Sequence, residues 1–132
     1  MELVVDTSAI VAVLVRERHR AVLVKVATGA ELVAPPSVHW EIGNAFSALF
    51  KRRRMTLRQA VRAVEAYHHI PIRFSDVELG DALEISHRLD VYAYDAYVIA
   101  CAIKHRCPLL SLDHGMVSAA SRAGVETVEI PS

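Results

Sequence analysis

The sequence predicts an α/β chain, a three-layer α/β/α arrangement around a central, mostly parallel sheet of about five strands, built as one domain over residues 1–132. Three observations predict it. Short β-branched runs alternate with longer segments of helical periodicity along the whole chain. The runs are continuously apolar, the pattern of strands covered on both faces. A length of 132 residues with 53% hydrophobic content is enough for one buried core.

The elements follow in order. LVV (3–5) reads as a buried strand, leading into a helix from about Ser8 to Arg16 and a second from about Arg18 to Thr28, closed by Gly29. ELVA (31–34) is the next strand, stopped by Pro35 and Pro36. From Ser37, a cap candidate, Val38, Ile42, Ala45, Phe46, Leu49 and Phe50 recur at helical spacing as far as a basic cluster. Thr56 starts another helix running to about His69, Pro71 ends it, and IRF (72–74) is a short strand. Asp76 is the expected cap of a helix carrying Leu79, Leu83, Ser86 and Leu89 on one stripe. A helix over about Tyr94 to Arg106, the strand LLSL (109–112), a short helix from about Gly115 to Ala123 and a last strand VETVEI (125–130) complete the series.

Composition excludes several classes. Apolar runs such as AIVAVLV (9–15) are too short to span a bilayer, and MELVVD lacks the basic lead and cleavage site of a signal peptide, so a cytoplasmic protein is expected. Cys101 and Cys107 form no CxxC pair, which argues against a thiol zinc site and against a disulfide framework. The seven histidines form no HExxH or comparable metal pattern.

The formal net charge is zero, but the charges are segregated. Residues 42 to 64 hold six basic side chains (Lys51, Arg52, Arg53, Arg54, Arg58 and Arg62) and no acid. Residues 76 to 95 hold six acids (Asp76, Glu78, Asp81, Glu84, Asp90 and Asp95) against Arg88 alone. The KRRR block suits either a polyanion or the C-terminus of a helix, where cations are favoured.

Four carboxylates carry the chemistry. Sites in parallel sheets form at the carboxyl ends of the strands, and Asp6 lies just past the first strand as Asp113 lies just past LLSL. Each fits a helix cap or turn equally well. Glu41 sits three residues after Val38 and four before Ala45, along the inward stripe of its helix, with Asn44 one turn on and placed to hydrogen-bond to it. Asp95 stands in the first turn of an apolar helix and shares a face with Ile99 and Ala102. A dipole-favoured acid near a helix N-terminus is the competing reading for both. Four converging carboxylates do not stay ionised together without cations, and oxygen ligands select Mg²⁺ or Mn²⁺. Such an acidic cage beside a basic patch is the arrangement expected for phosphodiester hydrolysis.

The order LVVDTSAIVAVL, SVHWEIGNAF and YAYDAYVIACAIKHRCPLLSLDHGM resembles a PIN domain, specifically the VapC-type toxins of prokaryotic toxin–antitoxin pairs, over essentially the whole chain. The resemblance implies a three-layer PIN-like fold and a Mg²⁺- or Mn²⁺-dependent ribonuclease that leaves a 5′-phosphate and a 3′-hydroxyl. It also implies a homodimer and a cognate VapB-type antitoxin whose tail occupies the active-site groove. The family's acids fall on Asp6, Glu41, Asp95 and Asp113, the small positions after the third on Ala100 and Ala102, and the supporting groups on Thr7, Ser8, Asn44 and Ser111. Lys51, Arg52, Arg53 and Arg54 would guide the RNA. The family's usual aromatic in the Asp95 helix is displaced: Tyr97 stands one position early, and Val98 takes its place.

Two other readings compete. A non-cleaving PIN-like scaffold that binds RNA or protein has no need of an acid cluster. A phosphatase using Asp6 as nucleophile wants a second acid two residues on, where Ser8 stands. Trp40 fits core packing and a protein contact equally well, and His114 fits a loop role.

Overall fold

The computed structural model describes residues 1–131. Four strands, β1 (Glu2–Val5), β2 (Glu31–Ala34), β3 (Ile72–Phe74) and β4 (Leu109–Leu110), form one sheet in the order β3-β2-β1-β4 with every pairing parallel. Seven helices connect them: α1 (Thr7–Leu14), α2 (Arg20–Ala27), α3 (Ser37–Lys51), α4 (Leu57–His68), α5 (Leu79–Leu89), α6 (Ala93–His105) and α7 (His114–Arg122). Helix α1 packs against α2, α3 and α4; α5 packs against α6, and α6 against β1 and β2. The three-layer α/β/α class is as the apolar runs predict. β1 runs through the middle of the sheet, and Leu3 and Val4 are fully buried. The chain turns back between β1 and β4, which makes the carboxyl ends of those two strands the switch point of the topology.

Several expectations need correction. The expected fifth strand, 125–130, is reduced to a single parallel bridge between Leu109 and Thr127. β4 is two residues long, not four, so it offers few ladder groups to a neighbour, and Glu126 and Glu129 of the tail face solvent. Both helices between β1 and β2 are shorter than their patterns suggest; α1 stops at Leu14, and Arg16 adopts φ 56°. Ser37 is the first helical residue, not a cap: Pro36 precedes the helix without a side-chain hydrogen bond. The fixed φ of proline suits it to a helix start. Asp76 does not cap α5, whose cap position is Glu78; the Asp76 carbonyl instead accepts a hydrogen bond from Lys104 Nζ at 2.6 Å.

The stripe on α5 is displaced as well. Its buried residues are Ala82, Ile85 and Leu89, whereas Leu79 and Leu83 are 58% and 50% exposed. The pattern at i, i+4 is consistent with either face at the start of the helix, and small Ala82 allows the closer approach to α6. Thr56, by contrast, caps α4 as expected, in a capping box with Gln59: Gln59 N donates to Thr56 Oγ1 at 3.1 Å and Thr56 N donates to Gln59 Oε1 at 2.9 Å. Cys101 is buried, Cys107 half-buried, and both are free thiols. No helix is long and apolar enough to cross a membrane, among the described residues.

Leu89→Ala is expected to cost about 2–5 kcal/mol through the cavity it leaves, and Leu79→Ala at an exposed site to stay within about 0.5 kcal/mol. Urea unfolding of the two variants checks this, and equal losses would contradict the packing of α5.

Candidate active site at the carboxyl ends of the strands

Asp6 is the most constrained acid. It follows β1 directly, is 4% exposed and serves as the cap of α1. Its Oδ1 accepts from Ser8 Oγ at 2.7 Å and from Ala9 N at 3.1 Å, and its Oδ2 accepts from Ser111 Oγ at 2.5 Å. Each serine has one hydroxyl proton, and both protons are spent on Asp6, so the Ser8 and Ser111 oxygens, 3.3 Å apart, do not also bond to one another. Their lone pairs instead accept backbone donors from the β4–α7 turn: Leu112 N to Ser8 Oγ at 2.9 Å and Asp113 N to Ser111 Oγ at 3.0 Å. One polar network therefore joins the ends of β1 and β4, reinforced by Asp6 N donating to Leu110 O at 3.2 Å. Ser8 and Ser111 thus both touch Asp6. Burial pushes the Asp6 carboxyl above its usual range, the serine and backbone donors pull it down, and the charge of Asp113 adds to the rise.

Asp113 is exposed and caps α7, its Oδ1 accepting from Gly115 N at 2.9 Å and Met116 N at 3.4 Å. Asp6 and Asp113 are thus both helix caps, and the charge of Asp113 acts on Asp6. Asp95, in the first turn of α6 and half-buried, is shifted upward by burial and then by the charge of Asp113.

Glu41 comes from α3. Burial, then Asp95, raises its carboxyl to about 7; the facing Thr7 hydroxyl lowers it and Asp6 raises it further. Thr7 Oγ1 and Glu41 Oε2 nevertheless lack a hydrogen bond of normal geometry and are buried without partners. An orphaned carboxylate oxygen of this kind costs free energy unless something outside the chain satisfies it. Asn44 does not make the hydrogen bond expected of it: it is exposed, and among the described residues no side-chain bond joins it to Glu41. Helical side chains lean toward the N-terminus of their helix, so Glu41 reaches toward Thr7 and away from the turn that carries Asn44.

The structure thus brings Asp6, Glu41, Asp95 and Asp113 into mutual electrostatic reach but does not close them into a cage. Among the described residues, no three His, Cys, Asp or Glu side chains stand close enough to hold a metal ion unaided. The donor chemistry still fits a hard cation: all donors are oxygens, three of the acids are driven toward protonation, and one oxygen is unpartnered. Among the described residues, the ion pairs join Glu2 to Arg73 and to His105, and none reaches these four acids. An apolar cavity of about 420 Å³, lined by Val5, Ile10, Leu23, Leu32 and Ile72, contains none of them.

Lys51, Arg52, Arg53 and Arg54 are exposed at the far end of α3. They are ten or more residues beyond Glu41, roughly 15 Å along the helix at 1.5 Å per residue, so the structure does not bring them to the acids. Trp40 is 74% exposed, which removes core packing as its role. Tyr92 and Tyr94, 86% and 55% exposed beside Asp95, are not singled out by the sequence pattern; the closely spaced tyrosines ahead of Asp95 are the signal that marks them.

A parallel sheet with carboxylates gathered at its switch point defines an α/β protein with an acidic site. The PIN domain family model matches residues 3–121, and the chain belongs to that family. Solved structures agree in fold. PAE2754 from Pyrobaculum aerophilum superposes with a TM-score of 0.73 at 19% identity, covering 97% of this chain and 84% of that one. VapBC2 from Rickettsia felis, bound to a DNA fragment from their promoter, gives 0.73 at 10% identity, covering 99% and 100%. Mycobacterium tuberculosis VapC20, a sarcin–ricin loop cleaving toxin, gives 0.68 at 19% identity, covering 98% and 99%. No curated protein sequence matches the chain.

The raised Glu41 carboxyl has a consequence for stability. Between its ordinary value of 4.5 and about 7, the unfolded chain has lost the proton that the folded chain keeps. Stability therefore falls as pH rises through that window and stays lower above it. Glu41→Gln is expected to remove this loss, melting higher than wild type above pH 7 in EDTA and matching it below pH 4.5 in thermal scans.

Proposed function

We propose that this chain is a Mg²⁺- or Mn²⁺-dependent endoribonuclease, the toxin of a VapBC-type pair, acting as one domain over residues 1–132 in the cytoplasm. The observation that carries the proposal is the Asp6 network at the switch point of a PIN fold, with the charge of Asp113 acting on Asp6 and Asp95, and those of Asp95 and Asp6 acting on Glu41. Similarity to VapC20, described as a toxin that cleaves the sarcin–ricin loop, and to VapBC2 supports RNA as substrate and a VapB-type antitoxin as partner.

Asp6, Asp95, Asp113 and Glu41 would hold the cation, which supplies a water of lowered pKa and offsets charge on the phosphate and leaving oxygen. The chain's own contribution is orientation. Ser8 and Ser111 fix both oxygens of Asp6, and the Asp113 cap fixes the β4–α7 turn, so the acids keep their positions as a substrate enters. Glu41, raised to about 7, keeps a proton near neutrality, and the cation competes with that proton. Asp113 is exposed and Glu41 and Asp95 are half-buried, so a polymer can approach these acids from solvent. Lys51 to Arg54 would hold RNA remote from the scissile phosphate. Leu79 and Leu83, exposed one turn apart on α5, supply apolar surface for a second copy in a homodimer.

A non-cleaving RNA- or protein-binding scaffold is the second reading, favoured by the lack of a closed three-ligand cluster among the described residues. One assay separates them. Wild type is expected to cut RNA with Mg²⁺ or Mn²⁺ and to stop in EDTA, while Asp6→Asn and Asp95→Asn lower the rate by at least ~10²-fold. Cleavage that survives EDTA, or full activity in either variant, would sink the metal-dependent reading.

Neutralising all four of Lys51, Arg52, Arg53 and Arg54 to Ala is expected to weaken RNA binding and flatten its dependence on log salt, by a slope of ~0.7 for each lost contact to a single strand. Filter binding between 50 and 200 mM salt reads the slope; an unchanged slope removes the cluster from the RNA path.

A further inference from the structure

We propose that Trp40, Tyr92 and Tyr94 form a stacking platform that holds unpaired RNA bases at the rim of the acid cluster. The proposal rests on the endoribonuclease reading and extends it to what the enzyme grips.

The rings flank two of the acids from two helices. Trp40 immediately precedes Glu41 on α3, and Tyr94 immediately precedes Asp95 on α6, each about 100° around its helix from the acid. Tyr92 holds the cap position of α6. The Glu41 and Asp95 carboxylates act on one another, so the two helix starts face a common site. Aromatic side chains of this size are ordinarily buried, as Phe46 and Tyr67 are here, yet Tyr92 is 86% exposed and Trp40 74%.

Two of the three rings are held in place. The His39 ring meets Trp40 edge to face, centroids 4.8 Å apart and planes at 86°, and His39 Nδ1 is in turn 3.2 Å from the Tyr67 hydroxyl. Tyr94 meets Tyr97 at 5.9 Å and 90°. A ring braced on one side and open to solvent on the other loses little freedom when a base stacks on it.

Electrostatics explains why stacking is needed at this point. The four carboxylates repel RNA phosphates except where a bound cation intervenes, no side-chain cation pairs with them among the described residues, and the basic cluster lies at the opposite end of α3. Close to the acids, the base faces are the part of the RNA that the chain can bind favourably, and aromatic stacking is tolerant of sequence. A protein partner would call for one continuous apolar patch, whereas Trp40 stands between His39 and Glu41 in the chain and Tyr94 directly before Asp95.

Trp40 is the only tryptophan, so intrinsic fluorescence reports on the platform without any label. In the Asp95→Asn background, an unstructured RNA 12-mer is expected to quench that emission, and the same strand paired into a duplex is expected to quench it far less. In the active chain, Trp40→Ala, Tyr92→Ala and Tyr94→Ala should each raise KM for the 12-mer by ~5- to 100-fold, with kcat moving much less, and Phe at the same positions should rescue KM. Equal quenching by strand and duplex overturns the platform, as does an unchanged KM in all three Ala variants of an RNA-cleaving enzyme. Ala variants that keep KM but lose self-association in sedimentation also overturn it, assigning the rings to a protein contact. If wild type neither binds nor cuts any RNA, the endoribonuclease reading itself falls and takes the platform with it.

Discussion

Asp6 leaves the carboxyl end of the central strand almost without exposure, and the surrounding structure is arranged so that a carboxylate can stay there. Two serine hydroxyls and one backbone amide supply its hydrogen bonds. The serines come from positions 8 and 111, so the bond that keeps Asp6 tolerable also ties α1 to the β4–α7 turn. Burial costs this group free energy that its hydrogen bonds offset incompletely, since its carboxyl still sits above the usual range. The same side chain caps α1, so the cost of its burial and its use at the helix start meet at one position.

The same tension spreads through the site. Glu41 and Asp95 are pushed toward protonation by burial and by neighbouring acids, and Glu41 keeps one oxygen orphaned. Side-chain hydrogen bonds cap α1, α4 and α7, whereas the carboxylates pushed toward protonation gather at this one place. It coincides with the switch point of the sheet, where the topology opens a crevice. The strongest positive charge lies about three helical turns from these acids, at the other end of α3. A long, flexible polyanion can reach both; a small substrate cannot.

Much of the fold was legible because its signals are local. Buried strands read as apolar runs, Gly29 and Pro71 punctuated them, and Thr56 announced a helix start. Ser37 lost the cap position to the adjacent Pro36. Asp76 and the Leu79–Leu83 pair each met a local rule, but the neighbour that decided the outcome was distant in sequence: α6 selected Ala82 and Ile85 as the packed face of α5, and Lys104 took the Asp76 carbonyl. The tail 125–130 had the composition of a strand and found only a two-residue edge to join.

The candidate site divides in the same way. The sequence by itself determined which acids stand at strand ends and helix starts, and that Ser8 and Ser111 lie near two of them, because those placements follow from element order. Only the tertiary structure decided that one hydroxyl proton from each serine goes to a different oxygen of Asp6, and that Asn44 is turned away from Glu41. It also decided that Trp40, Tyr92 and Tyr94 stay in solvent beside the acids. Periodicity fixes the face a residue occupies on its own element, but the partner opposite that face is set by packing between segments up to a hundred residues apart.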